Sequence, residues 1–347
     1  MTAAPLVTVI CVNFQGLRVL PACLTSLRRQ TCPPQRVIVV DNASTDGSRE
    51  LVRHDFPEVE LLESSSNLGF GAGNNLALDR AATPYVLLVN NDAVLADDCL
   101  AELVRTIELD PFAGAVAAKV LLQADPAAPL RIDAAGLEIC ADGLALGRGR
   151  FADPAALDEP TEVFFPSGCC GLYRREMLDD LRLEGEIFDE DFFAYAEDTD
   201  LGWRAQLAGW KTLYAPRAIC YHRHSATTGS VHPRKVFLVE RNRVWVAFKN
   251  FPTWLLLWGL GYTAARYFWQ AWATLAGRGR AGEFRRQNGA LTLLGTLLLA
   301  DAAALWGLPG LVRKRWLIRC QRRLTCRQIR AVLQRFGLRA RDVALRD

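Results

Sequence analysis

The chain has 347 residues, of which 50% are hydrophobic and 23% are charged, and its formal net charge is +3. This length exceeds one ordinary core, so we expect two or more compact units, and the composition excludes an intrinsically disordered chain. The ten cysteines include no C-x-x-C pair, which argues against the common zinc modules and favours a reducing compartment. No basic segment precedes the first apolar run, so we expect no signal peptide.

The first part of the chain alternates short apolar runs with segments of helical periodicity. Buried strands are predicted at residues 6–12, 36–40, 59–62 and 84–89, and a helix is predicted over 19–29. This rhythm indicates right-handed βαβ units and a mostly parallel sheet. The predicted fold class is therefore α/β.

Polar residues follow the second and fourth of these strands. Asp41 ends the second strand, and Asn90, Asn91 and Asp92 end the fourth. In open α/β sheets, ligands bind at the carboxyl ends of the strands. A carboxylate there suits Mg²⁺ or Mn²⁺ carrying a phosphorylated substrate. From these residues alone, a turn with a helix cap explains Asn90 to Asp92 equally well.

A glycine-rich segment lies between the third and fourth strands. Gly69, Gly71 and Gly73 alternate with other residues between Asn67 and Asn75, and we predict a loop here, followed by a helix over residues 76–81. Backbone N–H groups of such a loop can hold a phosphate. The spacing is not the dinucleotide fingerprint, and a tight connection without a ligand is the alternative.

Beyond the fourth strand, the pattern becomes less regular. The predicted elements are a helix beginning at Asp97, a strand over 114–122, a hairpin or irregular excursion over 131–151, a short strand entering a turn over 163–168, a helix over 174–181 and a strand over 210–214.

An acidic and aromatic stretch precedes the last of these strands. Residues 188–200 hold six carboxylates among phenylalanine and tyrosine, and aromatic side chains that seek burial would carry carboxylates with them. A partly buried carboxylate binds its proton more tightly and can act as a general base. The alternative is a solvated loop in which Asp198 or Asp200 caps the following helix. Further on, His222 and His224 alternate on an extended segment, which is compatible with metal or phosphate contact.

The C-terminal third of the chain differs in character. Residues 251–276 and 289–312 are apolar stretches long enough to span a membrane. Thr263, Arg266, Gln270 and Thr274 predict a narrow polar stripe on the first, as on a helix lying in a membrane interface. We favour interfacial helices over a spanning hairpin.

A basic segment follows these apolar stretches. Residues 311–347 contain twelve Arg or Lys and two Asp, a net charge of +10. This charge beside apolar helices predicts contact with an anionic membrane surface on its cytoplasmic side. We expect no nucleic-acid partner, because the Trp-rich stretch offers contacts to lipid rather than to bases.

Together, these motifs resemble the inverting family-two glycosyltransferases of GT-A fold, and among them the rhamnosyltransferase-like branch. The resemblance covers residues 6–225. It implies a GT-A catalytic domain over residues 1–230 and a helical, basic, membrane-associating region over 231–347. The segments that carry it are Val9 to Phe14, Val39 to Ser48, Asn67 to Gly71, Val89 to Asp92, Phe188 to Glu190, Glu197 to Leu201, and Gly209 with Trp210.

The resemblance also implies roles for individual residues. Asp198 would be the catalytic base. A divalent metal, Mg²⁺ or Mn²⁺, would be held by Asp92, Asn90 and His222, with Asn90 standing where the family has the first carboxylate of its D-x-D motif. The nucleotide-sugar-binding residues would be Asn13, Phe14, Asp41, Asn67, Gly71, Asn74 and Asn91.

The implied activity is transfer of rhamnose from dTDP-rhamnose to a lipid-linked or polysaccharide acceptor in cell-envelope glycan synthesis. The implied location is the cytoplasmic face of the cell membrane, with peripheral attachment, or with integral attachment through a C-terminal hairpin. A UDP- or GDP-sugar donor and a catalytically inactive nucleotide-sugar-binding protein are alternatives. A nucleotidyltransferase would need a basic loop after the first strand, and residues 13–16 contain neither Lys nor Arg.

Overall fold

The computed structural model leaves several segments without a description. One of these segments contains His224 and the predicted domain boundary at residues 230 and 231. The expected role of His224 and the position of that boundary therefore stay predictions. Of residues 279–283 only the backbone is described. The described ranges are 7–122, 129–223, 232–275 and 279–345.

The described residues form two compact units. The first contains those up to 137 and those from 146 to 223. The second contains residues 138–145 and the described residues from 232 onward. A segment inside the predicted hairpin region thus belongs with the C-terminal helices.

The strands of the described residues are β1 Val7–Asn13, β2 Arg36–Asp41, β3 Glu60–Glu63, β4 Tyr85–Asn90, β5 Ala93–Leu95, β6 Ala113–Leu122, β7 Arg131–Ala134, β8 Leu137–Ile139, β9 Ala145–Gly147, β10 Thr161–Glu162, β11 Cys170–Arg174 and β12 Lys211–His222.

The helices are α1 Leu20–Arg28, α2 Ser48–Asp55, α3 Gly69–Leu78, α4 Cys99–Ile107, α5 Arg175–Asp180, α6 Glu197–Leu207, α7 Pro233–Asn250, α8 Thr253–Leu275, α9 Gly279–Asn288, α10 Ala290–Gln321, α11 Cys326–Phe336 and α12 Ala340–Leu345.

A mixed sheet forms the centre of the first unit. Its strand order is β10-β12-β6-β11-β4-β1-β2-β3, with β5 on β12 and β7 on β6. The strands β3, β2, β1 and β4 are parallel, as predicted. The register places Asn13 beside Asp41, and Val12 beside Asn90, so these strand ends lie side by side. The α/β prediction is confirmed.

The glycine-rich segment is helical, which corrects the prediction of a loop. Helix α3 begins at Gly69, seven residues before the predicted start. Gly69 has φ +83°, and a Cβ there would lie 2.1 Å from the carbonyl oxygen of Phe193. A Cβ on Gly73 would lie 3.0 Å from Val12. The cost of glycine in a helix, about 1 kcal/mol each, is offset by this close packing, which local propensity does not reveal.

A strand predicted over residues 163–168 is absent there, and β11 begins at Cys170 instead. Phe164 and Phe165 are buried because α6 packs on them at Gly202. Because both residues are apolar, this stretch of sequence resembles a buried strand. Strand β11 was missed because its position between β4 and β6 depends on antiparallel pairing with distant residues.

In the second unit, the predicted polar stripe of α8 faces inward, which corrects its expected orientation. Arg266 is 0% exposed. Its Nε lies 2.8 Å from Asp142, and its Nη1 lies 2.9 Å from Glu240. Arg243 contacts Glu240 as well, at 2.5 Å. These pairs hold the charge inside, since an unpaired buried charge is strongly unfavourable.

The opposite face of α8 and much of α10 are apolar and exposed. Among the described residues, one helix, α10, is long and apolar enough to cross a membrane by length and composition. The exposed large apolar side chains of these two helices are Leu257, Trp258, Leu260, Phe268, Trp272, Leu275, Leu291, Leu294, Leu298, Leu299, Leu305, Trp306, Val312 and Trp316.

We expect Arg266→Met to lower the free energy of unfolding by about 3–5 kcal/mol, because Asp142 and Glu240 would lose a buried cation. Denaturant unfolding of the full chain measures this. Arg339→Met, at an exposed position, is the matched control and should change stability by less than about 0.5 kcal/mol. Equal stability of the two variants would contradict the structural role of Arg266.

Candidate active site

Asn13 joins the carboxyl ends of β1 and β2. Its Nδ2 donates to Asp41 Oδ2 at 3.0 Å and to Ser48 Oγ at 2.9 Å. The other Asp41 oxygen accepts from the backbone N–H of Ser44 at 2.8 Å. Both Asn13 and Asp41 are buried, so these contacts hold the Asp41 carboxylate in a defined orientation.

Asn91 extends this network to the end of β4. Its Nδ2 donates to Asn13 Oδ1 at 2.9 Å. A Cβ on Gly16 would lie 2.0 Å from that oxygen, so the turn after β1 needs glycine at this position. Phe14, which directly follows Asn13 in the sequence, is half-buried. The network brings together the three strand ends that carry Asp41, Asn13 and Asn91.

The glycine-rich start of α3 lies beside the same strand ends. Asn42 Nδ2 donates to the Gly69 carbonyl at 2.8 Å. Asn67 is exposed, and its Oδ1 accepts from Gly69 N–H at 2.9 Å. Asn74 is buried and donates to the Phe70 carbonyl at 2.9 Å, while Gly71 packs on Phe188. In this arrangement Asn74 and Gly71 support the helix, and Asn67 lies at its entrance.

Asp92 and His222 meet because β5 pairs with the end of β12. His222 is opposite Ala93 in this register. Its Nε2 lies 3.2 Å from Asp92 Oδ1. Both side chains are buried. The predicted proximity of these two residues is therefore present, although 130 positions separate them in the chain.

Asp133 is a site residue that the sequence analysis missed. Its Oδ2 lies 2.7 Å from His222 Nδ1, and its Oδ1 lies 2.5 Å from Arg150. Burial opposes a charged imidazole, but Cys169 and the hydrogen bonds to Asp133 and Asp92 raise the pKa of His222 well above its usual range. Asp133 orients the ring so that Nε2 faces Asp92. Its place on a short strand in an irregular region left no signal in the sequence.

The donor set fits a cation that arrives with a diphosphate. Asp92 offers a carboxylate oxygen, and His222 would offer an imidazole nitrogen once a metal ion displaced the Nε2 proton, because a histidine ligand must be neutral. Within the described ranges, no group of three or more His, Cys, Asp or Glu side chains is arranged to hold a metal ion. Mg²⁺ commonly takes one or two protein carboxylates, completed by water and substrate phosphates. These residues therefore fit a shared site, and they do not form a cage made by the protein alone.

The acidic stretch folds partly inward, as the aromatic residues within it suggest. Phe192 is buried, and Asp200, also buried, pairs with Arg204 at 3.0 Å. Glu197 and Asp198 begin α6 after Tyr195 and Ala196, which both have positive φ. A positive φ is unfavourable for residues other than glycine, and it persists where the surrounding structure fixes the backbone.

Glu197 and Asp198 differ in their hydrogen-bond partners. Asp198 Oδ2 accepts from Gly168 N–H at 2.9 Å, and its Oδ1 accepts from the N–H and hydroxyl of Thr199. In contrast, the buried Oε2 of Glu197 has no partner among the described residues. Burial and the adjacent Asp198 raise the pKa of Glu197 to about 8. Burial raises the pKa of Asp198 too, against these three hydrogen bonds.

This asymmetry decides where the charge of the pair resides at neutral pH. Donors favour an ionised carboxylate, and a buried oxygen without donors favours the protonated form. Asp198 is then the carboxylate and Glu197 the neutral acid. Asp198 also lies at the same sheet edge as the other residues, since Gly168 precedes Cys169, whose carbonyl accepts from Asn90 N–H at 2.9 Å.

A family model described as glycosyl transferase family 2 matches residues 8–182, half of the chain. The chain belongs to this family. A family 2 chain with the sheet described above has the GT-A fold and is a glycosyltransferase.

Two similar curated proteins are rhamnosyltransferases. The N-acetylglucosaminyl-diphospho-decaprenol L-rhamnosyltransferase of Mycobacterium tuberculosis is 28% identical over 270 residues, covering 68% of this chain and 85% of that protein. The O-antigen chain rhamnosyltransferase of Salmonella typhimurium is 28% identical over 236 residues, covering 67% and 69%. The family 2 member described here is thus similar to rhamnosyltransferases.

Solved structures share the fold. A mannosyltransferase from Pyrobaculum calidifontis, in complex with GDP-Man and Mn²⁺, has a TM-score of 0.51 at 21% identity and covers 88% of each chain. GalNAc-T7 with UDP, GalNAc and Mn²⁺ has a TM-score of 0.59 at 14% identity, covering 89% of this chain and 58% of that one. At these identities the likeness concerns the fold alone.

We expect Glu197→Gln to stabilise the protein increasingly as the pH rises from about 4 to 8. Folded Glu197 keeps its proton in this range, while an unfolded Glu, with a pKa of about 4.3, loses it, so wild-type stability falls with pH. Glutamine does not titrate. Over this pH range, the melting-temperature difference between variant and wild type should grow by roughly 4–8 °C or more. Such a shift corresponds to a change of about 2 kcal/mol in the free energy of unfolding.

Glu176→Gln, at an exposed position, is the matched control for this comparison. Its difference from wild type reports the effect of the amide itself. A pH-independent difference for Glu197→Gln would show that Glu197 is ionised in the folded protein.

Proposed function

We propose that this family 2 glycosyltransferase moves a sugar, with inversion, from a nucleoside diphosphate donor to a hydroxyl group of a lipid-linked or polysaccharide acceptor. The observation that carries the proposal is the assembly of Asp41, Asp92 and Asp198 at one edge of the sheet. A direct displacement needs a base for the acceptor and charge neutralisation for the leaving diphosphate. Separate carboxylates at this edge can meet both needs.

Asp198 is the base in this proposal. Its carboxylate takes the proton of the acceptor hydroxyl as that oxygen bonds to the anomeric carbon. The bond from that carbon to the diphosphate breaks, and the nucleoside diphosphate leaves. Glu197 is neutral in this proposal, so it places no second negative charge beside the base. It also cannot take the proton of the acceptor hydroxyl in place of Asp198.

Asp92 and His222, with Asn90 nearby, would hold a Mg²⁺ or Mn²⁺ ion. The ion would neutralise charge on the leaving diphosphate. Asp133 keeps the His222 ring directed at Asp92. In this arrangement, His222 would act as a metal ligand in place of the carboxylate that the family has at the position of Asn90.

The nucleotide would lie over the ends of β1 and β2. Asp41 and Phe14 flank this region, and Asn13 and Asn91 hold it in shape through their hydrogen bonds. Asn67, at the entrance to α3, is free to approach a donor, while Gly71 and Asn74 act by shaping that helix.

We propose dTDP-rhamnose as the donor and cell-envelope glycan synthesis as the setting. The names of the Mycobacterium and Salmonella relatives support this choice. The GDP-Man in the Pyrobaculum structure keeps other nucleotide sugars as a second candidate, to be separated by direct assay.

We propose that the enzyme works at the cytoplasmic face of the membrane, attached peripherally. The exposed apolar faces of α8 and α10 support this, because so many large exposed apolar side chains are unusual on a soluble monomer. The net charge of +10 over residues 311–347 supports contact with anionic lipid.

Asp198→Asn should abolish transfer while donor binding persists, because the amide keeps the shape but cannot take a proton. We expect a fall in kcat of at least about 100-fold, the lower end of what a positioned base contributes. Transfer assays and donor-induced thermal shifts, with dTDP-, UDP- and GDP-sugars and with or without Mn²⁺, measure the two properties.

Asp191→Asn, at an exposed position of the same acidic stretch, is the control and should retain activity. If wild type binds donors but transfers no sugar, the binding-only alternative holds. If no nucleotide sugar shifts its melting curve, the transferase proposal fails.

Asp133→Asn should weaken Mn²⁺ binding measured with nucleoside diphosphate present, by about tenfold or more, the usual effect of losing the partner of a metal-binding histidine. Calorimetry measures this without turnover. Asp153→Asn, at an exposed site in the same region, is the control. Unchanged affinity in Asp133→Asn would exclude His222 as a ligand oriented by Asp133.

A further inference from the structure

A pocket of about 380 Å³ lies in the second unit. It forms where the start of α8, the end of α10 and the start of α11 meet. Its lining residues are Pro252, Thr253, Trp254, Arg319, Arg322 and Cys326.

Positive charge in this pocket is not neutralised by the protein. Residues 313–330 contain eight Arg or Lys and no Asp or Glu. Arg319 donates to the hydroxyl of Thr253 at 3.2 Å. In the described parts of the chain, neither Arg319 nor Arg322 has a carboxylate partner. Arginine without a carboxylate is suited to phosphate, whose oxygens accept from the planar guanidinium group.

The backbone adds positive potential at the same place. The pocket includes the first two residues of α8, the positive end of a 23-residue helix.

The surroundings of the pocket are apolar and exposed. Leu257 and Trp258 follow within the next turn of α8, and Trp316 lies one turn before Arg319 on α10. A phosphate bound here would therefore be flanked by side chains suited to the interfacial and acyl regions of a bilayer. A free phosphate ion would make no use of these side chains.

We propose that this pocket binds the phosphate group of a membrane phospholipid through Arg319 and Arg322, beside the first residues of α8. The inference rests on the proposed work at a membrane, but its test requires no sugar transfer. It gives the enzyme a defined lipid contact in addition to general attraction between basic residues and the surface.

The test is cosedimentation of the full chain with vesicles of phosphatidylcholine and phosphatidylglycerol. A basic residue near an anionic surface contributes roughly fivefold to binding wherever it lies. Arg319→Ala with Arg322→Ala should therefore lose at least about tenfold more affinity than the control pair Arg339→Ala with Arg341→Ala, which removes the same charge. Equal losses in the two pairs would overturn the proposal.

Arg319→Lys with Arg322→Lys separates the pocket from charge altogether, because it keeps both positive charges and removes the planar guanidinium groups. We expect it to weaken vesicle binding by about threefold to tenfold with an unchanged melting temperature. This variant also keeps the test decisive if the double alanine variant does not fold. Unchanged vesicle binding in the lysine variant would overturn the role of the guanidinium groups.

Inorganic phosphate distinguishes the source of the ligand. At constant ionic strength, added phosphate should compete only weakly with vesicles. If phosphate instead stabilises wild type strongly in melting experiments, and the two arginine pairs bind vesicles alike, the pocket binds the free ion and the lipid assignment is wrong.

Discussion

The short pairing of β5 with the end of β12 is the contact on which the proposed chemistry depends most. It lasts only three residues, yet it places His222 opposite Ala93, next to Asp92. Strand β12 also pairs with β6, and β6 pairs with β7, so the same arrangement brings Asp133 behind the imidazole. Without this pairing, the end of β4 would carry only asparagine and one carboxylate. With it, His222, which contacts Asp92 on one side and Asp133 on the other, joins the polar residues at that edge.

At the start of α6, hydrogen bonds rather than cations determine where negative charge resides. Two neighbouring carboxyl groups begin α6, and three donors converge on Asp198 while the buried oxygen of Glu197 receives none. The pair can then hold one proton and one charge without a nearby lysine or arginine. The same helix carries Asp200, whose buried charge is compensated by Arg204. One acidic segment thus contains the proposed base, a neutral acid and a structural ion pair.

The second unit combines buried charges with exposed apolar side chains on two of its helices. Arg266, Glu240 and Asp142 are buried and paired, while leucine and tryptophan side chains of α8 and α10 are exposed. A polar interior with an apolar exterior is favourable where the exterior meets lipid. The stripe that looked like the water-facing side of an interfacial helix is in fact its attachment to the rest of the unit.

The sequence by itself determined the fold class, the positions of the parallel strands along the chain and the residues at their ends. Apolar runs that stop at Asp41 and at Asn90 carry this information locally, because strand periodicity and polar termination are local properties. The family resemblance pointed to the same residues, and the family is confirmed.

Only the tertiary structure decided the rest. The role of Asp133, the helical state of the glycine-rich segment and the position of β11 depend on contacts between residues far apart in the chain. The first residue of α3 must be glycine because the Phe193 carbonyl lies against it, and no local preference predicts that neighbour. The inward direction of Arg266 likewise depends on Asp142, more than a hundred residues away. Periodicity shows that a helix has two faces, and packing partners decide which of them is buried.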